Sequence, residues 1–312
     1  MNQANPSTSV QICKAAGDPL RAGVLQLLAN DSFGVLELCD IFDMAQPAMS
    51  HHLKCLAEAG LVDKRPEGTH VFYQRSSRPD ALVNALFNAL DQESVPAATR
   101  TGTQRVYQAR AARSLRFFED HADALQQQRA LVCQSEVYAQ AVLNALQQLP
   151  SEQRNSVLEV GPGDGLLLIE LAQLFAKVDG IDTSNATLAS ARQATSRLQN
   201  VALDHADFFS QPAQQAYNAL VAAMVIHHLA SPEQFFHHAA AHLCGGGLLI
   251  VAELSAHQQQ WVTDACGDVW LGFTPEQLIH WGETAGFHPV QQQHLAQRNG
   301  FNVQVHTFQR DS

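Results

Sequence analysis

The chain has 312 residues, of which 46% are apolar and 16% charged, and its formal net charge is −11. That length and apolar content exclude disorder and collagen-like repeats for its bulk and allow two or three domains with filled cores. No apolar run approaches the roughly 18 residues a membrane span needs, and the polar start 1–9 lacks the basic and apolar regions of a signal peptide, so a soluble, cytoplasmic protein with no membrane partner is expected.

The acid is concentrated in residues 155–312, where 5 Lys and Arg face 14 Asp and Glu. Residues 44–78 reverse the sign, with Lys54, Lys64, Arg65, Arg75 and Arg78 against Glu58, Asp63 and Glu67. Any contact with nucleic acid is therefore expected on that one basic face rather than over a generally basic surface. The six cysteines stand singly, without CxC or CxxC spacing, which argues against a disulfide framework or a zinc knot.

In chain order, Asp18 before Pro19 is an N-cap with proline at the first helical position, and Leu20, Val24, Leu27 and Leu28 supply an apolar stripe, so a helix is expected over about 19–29. A second short helix covers 35–42. Gln46-Pro47 opens a third that runs to Gly60, a left-handed C-cap. Leu61–Arg65 and His70–Gln74 then flank Pro66-Glu-Gly-Thr69 as a hairpin. In the third helix Met49, Leu53 and Leu56 share one side, and Pro47, Ser50, His51, Lys54 and Glu58 share the other at i, i+3, i+4, i+7 spacing. An apolar seam anchors such a helix to its own domain while short polar donors reach base edges and phosphates in a major groove. Periodicity alone fits a solvated helix of any small α/β domain equally well.

The wording of the segment separates the two. Gln46-Pro-Ala-Met-Ser-His-His-Leu-Lys-Cys-Leu-Ala-Glu-Ala-Gly-Leu-Val62, followed by Arg65-Pro-Glu-Gly68 and Phe72-Tyr73, resembles the ArsR-type winged helix-turn-helix regulators over about residues 10–80. The resemblance implies a homodimer on a double-stranded DNA operator, with Gln46, Ser50, His51 and Lys54 on the reading helix and Lys64, Arg65, Thr69 and His70 on the wing. It also implies metal sensing, but the CxC ligands of that family fall on Gly34 and Leu36, and 76–93 contains no histidine. Cys39 alone cannot supply the three or four ligands a soft metal requires. No metal is expected, and Cys39 and Cys55 are expected to be buried apolar residues.

Residues 81–150 are rich in Ala, Leu, Gln and Arg and read as a helical connector with dimerisation helices at about 104–125 and 134–148, after a polar break at 93–102. From Ser156 onward short apolar runs alternate with helical periodicity, with strands expected at 157–160, 177–181, 201–205, 220–226 and 248–253. The alternation predicts an α/β domain over 151–312 whose parallel sheet is covered by helices on both faces. Val157-Leu-Glu-Val-Gly-Pro-Gly-Asp-Gly165 is a buried strand entering a glycine turn, where backbone can approach a ligand that a Cβ would repel. Its spacing is GxGxG, not the GxGxxG of the dinucleotide fingerprint. Asp182 ends the second strand beside it, suited to accept from ribose hydroxyls. Asp207-Phe208, after the third strand, offers a carboxylate and a ring to an adenine.

In order and spacing these residues resemble the class I S-adenosylmethionine-dependent methyltransferases, with a Rossmann-like seven-stranded sheet, over about 134–255. The resemblance assigns Glu159, Gly161, Gly163 and Gly165 to the methionine side of S-adenosylmethionine or S-adenosylhomocysteine, Asp182 to the ribose, and Asp207 and Phe208 to the adenine. His227-His228 falls in the segment beneath the methyl group, where a neutral imidazole suits removal of a proton from a hydroxyl or amine. Strands at 290–294 and 301–308 are expected to close the sheet antiparallel. Two readings follow: a regulator whose C-terminal domain senses the cofactor, and a working methyltransferase for a small-molecule acceptor with an attached DNA-binding domain.

Overall fold

A computed structural model describes residues 8–29, 31–67, 70–76, 79–120, 128, 131–213 and 216–311. The chain divides into two compact units, 1–110 and 111–312, and the boundary lies inside one helix.

The first unit begins with α1 (Thr8–Ala16) and α2 (Pro19–Leu27). The Asp18 carboxylate accepts the backbone N–H groups of Leu20 and Arg21 at 3.1 and 3.0 Å, satisfying two of the donors a helix start leaves open. α3 (Val35–Phe42) is closed at its start by Glu37, whose carboxylate accepts the Gly34 N–H at 2.8 Å. Asp43 turns the chain in the left-handed region (φ 49°) into α4 (Gln46–Glu58). Met49, Leu53 and Leu56 are fully buried and form the expected seam against a core that includes Val24, Leu25, Phe33, Leu38 and Leu61. β2 (Val62–Glu67) and β3 (His70–Arg75) pair antiparallel as a hairpin. A two-residue strand, β1 (Phe33–Gly34), joins the outer side of β3 through Phe33↔Tyr73.

α5 (Ala81–Asp91) is capped by Asp80, and α6 (Ala97–Asp120) begins directly after Pro96, seven residues before the expected start. The reason is packing: a Cβ on Gly102 would stand 2.8 Å from the Cα and carbonyl oxygen of Ile41. Gly102 therefore marks close contact between α6 and the end of α3, not a break in the helix. Farther along α6, the buried Arg110 guanidinium donates to both carboxylate oxygens of Glu37 at 2.7 and 2.8 Å and to the Ser32 carbonyl at 2.8 Å. It also approaches Asp31 to 3.4 Å.

The second unit holds α7 (Ser135–Leu146) and a seven-stranded sheet in which β4 (Ser156–Val160), α8 (Leu166–Leu174), β5 (Lys177–Asp182), α9 (Asn185–Thr195), β6 (Val201–His205), β7 (Tyr217–Ala223), α10 (Pro232–His242) and β8 (Leu243–Leu254) alternate. After α11 (Trp261–Ala265) and α12 (Pro275–Thr284), β9 (Phe287–Ala296) and β10 (Asn302–Arg310) complete it. The order β6-β5-β4-β7-β8-β10-β9 has its first five strands parallel and β10 antiparallel to both neighbours. This is a Rossmann-like sheet, packed by α7, α8, α9, α10 and α12. The order reverses at β4, between β5 and β7. Ligands of such sheets bind in the crevice outside the carboxyl ends of the strands at that reversal.

Candidate functional site: the carboxyl edge of the sheet and the exposed face of α4

The glycine turn leaves β4 at the reversal point. Gly161 has φ +69°, and a Cβ there would lie 2.5 Å from Cγ2 of Val225. Gly163, at φ +58°, has no atom of another described residue within 4 Å of where its Cβ would stand, so the open side of the turn is at Gly163. Gly165 is the N-cap of α8. Beneath the turn, Glu159 is 2% exposed, and its Oε2 has no hydrogen-bond partner among the described residues. Burial, reinforced by the charge of Asp164, pushes its carboxyl up to about 8. A buried carboxyl oxygen without a partner is costly, and an incoming donor beside the turn removes that cost.

Asp182 ends β5, half-buried, and its Oδ1 accepts the Ser184 N–H at 2.8 Å, which fixes the carboxylate at the start of α9. Asp207 is exposed and caps the turn 208–210, accepting from the Phe209 N–H and the Ser210 hydroxyl, each at 3.1 Å. The Phe208 ring is buried against Phe235 and His242, at centroid distances of 5.5 and 5.2 Å.

β7 ends at Ala223 rather than at 226, because Met224 takes a left-handed conformation (φ 56°) and Ile226–His228 form a single 3-10 turn. His227 and His228 lie on that turn, 4% and 6% exposed, with ring centroids 4.0 Å apart. His227 Nδ1 lies 2.5 Å from Glu253 Oε1, and its backbone N–H donates to Oε2 at 3.2 Å. Asp268 Oδ1 stands 3.8 Å from His227 Nε2 and 3.7 Å from His228 Nδ1. Sequence reasoning missed Glu253 and Asp268. The available signal was an acidic residue inside the apolar run 248–254, since a carboxylate on a buried strand requires a partner.

In the first unit, Gln46, Ser50, His51 and Lys54 are exposed on α4 opposite its buried seam, and Lys64 is exposed on β2. Lys54 is paired loosely with Glu58 at 3.8 Å. Arg65 is half-buried. Thr69 and the side chain of His70 lie outside the described residues. Cys39 and Cys55 are half-buried, not buried as expected, and unbridged. Gly34 is the N-cap of α3, and Leu36 is exposed.

Comparison with known proteins agrees with this division. Residues 18–64 match the bacterial regulatory protein arsR family, and residues 125–304 match a methyltransferase domain family. An HTH-type transcriptional regulator of Methanocaldococcus jannaschii is 47% identical over 66 residues, 21% of this chain and 74% of that protein. The arsenical resistance operon repressor of Escherichia coli is 33% identical over 95 residues, 29% of this chain and 81% of that protein. Among solved structures, the 1,6-didemethyltoxoflavin-N1-methyltransferase of Burkholderia thailandensis, with bound S-adenosylhomocysteine, superposes with a TM-score of 0.50 at 18% identity, over 66% of this chain and 89% of that one. No helix among the described residues is long and apolar enough to cross a membrane. The chain belongs to the ArsR family through its first unit and to the methyltransferase-domain family through its second, and is an ArsR-type transcriptional regulator that carries a methyltransferase domain.

Proposed function

We propose that the second unit binds S-adenosylmethionine or S-adenosylhomocysteine as an effector, and that occupancy changes the affinity of a homodimer for its DNA operator. The observation that carries the cofactor reading is the buried Oε2 of Glu159, without a hydrogen-bond partner among the described residues, beneath a glycine turn that is open at Gly163. A cationic ligand with an ammonium donor suits that oxygen. Along the carboxyl edge Asp182 would accept from ribose hydroxyls and Asp207 would receive the adenine amino group, with Phe208 beside it. When bound, S-adenosylmethionine supplies a methyl group on a sulfonium centre. In the first unit α4 is the recognition helix, with Gln46, Ser50, His51 and Lys54 toward the groove. The hairpin acts as the wing, carrying Lys64 and Arg65 along the flanking phosphates.

A second reading, turnover of a small-molecule methyl acceptor, is favoured by the Glu253–His227 contact. A carboxylate at Nδ1 fixes the tautomer and leaves Nε2 as the basic nitrogen. Methyl transfer is an in-line displacement in which positioning contributes most, so His227 and His228 assist without being obligatory. Calorimetric titration of the full chain with each cofactor form, alone and with a fragment of its own promoter, tests the effector reading. Affinities that differ with and without DNA are expected. Equal affinities reject the effector role, and absence of binding to either form rejects the cofactor.

A further inference from the structure

The turn after β7 and the segment after α11 bring together a set of donors that neither DNA binding nor cofactor binding requires. His227, His228 and Asp268 are all buried, and one donor atom from each lies within 4.8 Å of the others. Asp268 Oδ1 is nearly equidistant from the two imidazoles, at 3.8 Å from His227 Nε2 and 3.7 Å from His228 Nδ1. Donors about 2.0–2.1 Å from a tetrahedral zinc ion stand about 3.3–3.5 Å apart; the two imidazole–carboxylate separations exceed that by a few tenths of an ångström, and the imidazole–imidazole separation is within 4.8 Å.

The cluster is tied into its surroundings by hydrogen bonds, and His228 Nδ1 also lies 3.4 Å from the Gly267 carbonyl. Glu253, with no exposed surface, lies 2.5 Å from His227 Nδ1. An Nδ1–H donated to that carboxylate turns the lone pair of Nε2 toward Asp268, as the carboxylate–histidine–metal arrangement requires. The backbone is fixed as well. The N–H groups of Val269 and Trp270 both donate to the His227 carbonyl, at 3.0 and 3.1 Å, which ties the segment bearing Asp268 to the turn bearing the histidines. Met224, in its left-handed conformation, sets that turn. Glu253 and Asp268, exposed by 0% and 2%, both belong to this buried cluster.

We propose that His227, His228 and Asp268 form a binding site for one divalent transition-metal ion of the zinc class, with Glu253 holding His227 in the ligating tautomer. Two imidazoles and a carboxylate are the borderline nitrogen and oxygen donors that zinc accepts, and three protein ligands leave a fourth position open. The assignment stands independently of the effector reading. It replaces the histidine-base form of the turnover reading, because a metal-bound Nε2 cannot take a proton.

Full-length protein stripped with a chelator and titrated with Co2+ alone tests this. One equivalent is expected to bind with the visible absorption of a four-coordinate site, and Zn2+ is expected to displace it. His228→Ala and Asp268→Asn each weaken binding by about a hundredfold or more, and Glu253→Gln by about 10–100-fold, the usual effect of losing an outer-shell partner. The chain has 15 histidines, so His288→Ala, at an exposed site 53% accessible at its side chain, serves as the control and leaves binding unchanged. Should His228→Ala fail to fold, X-ray absorption of the zinc-loaded wild type decides, with two imidazoles and no sulfur expected around the ion. Absence of saturable binding, full affinity in folded Asp268→Asn, or sulfur ligation overturns the site.

Discussion

Glu159 is a carboxyl group that folding makes harder to ionise. Burial, then the charge of Asp164, carries its pKa from 4.5 to about 8. Between those values the folded chain keeps a proton that the unfolded chain has lost, so stability falls as pH rises through the window and the full loss is reached above about 8. At about 1.4 kcal/mol for each tenfold change in the ionisation constant, the effect amounts to a few kcal/mol. Glu159→Gln removes it. Urea unfolding at pH 5 and pH 8 should show the wild type losing more stability than the variant, and equal losses would mean that Glu159 ionises normally. In the proposed reading the same residue explains why a cationic ligand is expected, since an ammonium group beside it would favour the ionised carboxyl that the empty fold disfavours. Lys54 illustrates the opposite, exposed regime, with its side chain 72% accessible and only a loose partner in Glu58. In the proposed recognition mode its contribution is release of a counterion from one phosphate. Lys54→Ala should therefore weaken binding to all sequences and reduce the salt slope by about 0.9, while Ser50→Ala should change sequence preference instead. Anisotropy titrations over a salt series separate the two, and an unchanged slope would remove α4 from the groove.

At the scale of elements, α6 is anchored to α3 by a buried charge cluster. Removing the Arg110 guanidinium leaves Glu37 and Asp31 without their counter-charge, and a broken buried pair costs about 3–5 kcal/mol. Arg110→Ala should lower the stability of the first unit by that order in urea unfolding; a change below about 1 kcal/mol would show that water replaces the guanidinium. The elements that sequence reading placed well carry their own local signals: Asp18-Pro19 opening α2, Gln46-Pro47 opening α4, the seam of Met49, Leu53 and Leu56, and the glycine turn after β4. Those it misplaced are set by distant parts of the chain. β1 is too short for any alternation and exists because β3 offers it an edge. Gly102 read as part of a polar break, yet it permits contact with Ile41, far away in sequence. β7 stops at Ala223 because Met224 reverses the backbone, which no hydrophobic pattern encodes. The site shows the same division: Glu159, the glycines and Asp182 lie in contiguous motifs, whereas Glu253 and Asp268 reach His227 only through the order of the strands.

At the scale of the whole molecule, one chain joins an ArsR-family unit to a methyltransferase domain, and one helix runs from the first unit into the second. α6 contributes Arg110 to the first unit and, to the second, Phe118, whose ring meets His228 edge-on at 5.0 Å. The effector is therefore expected to act through the second unit and not through thiols in the first. Gly34 and Leu36 carry no sulfur, and Cys39 and Cys55 are single half-buried thiols on separate helices, so arsenite should leave the DNA complex intact in a gel-shift titration; release at micromolar concentration would contradict this. The decisive test of coupling uses Asp182. A carboxylate accepting two ribose hydroxyls contributes about 1.5–3 kcal/mol per charge-assisted bond, so Asp182→Ala should weaken cofactor binding by one to several powers of ten at about 1.4 kcal/mol each. The Ser184 N–H also loses its acceptor in this variant, and Asp182→Asn, which keeps an oxygen there, serves as the structural control and should lose affinity to an intermediate degree. Neither variant alters α4, the proposed recognition helix, so DNA binding without cofactor should equal that of the wild type. A ligand shifts the DNA-binding equilibrium only by its differential affinity for the two states, and the response to added cofactor should disappear in Asp182→Ala at concentrations that saturate the wild type. Wild-type cofactor affinity in Asp182→Ala would place the ribose elsewhere. Cofactor loss in the variant, combined with wild-type DNA binding that ignores the cofactor altogether, would reject the sensor and leave methyl transfer as the work of the second unit.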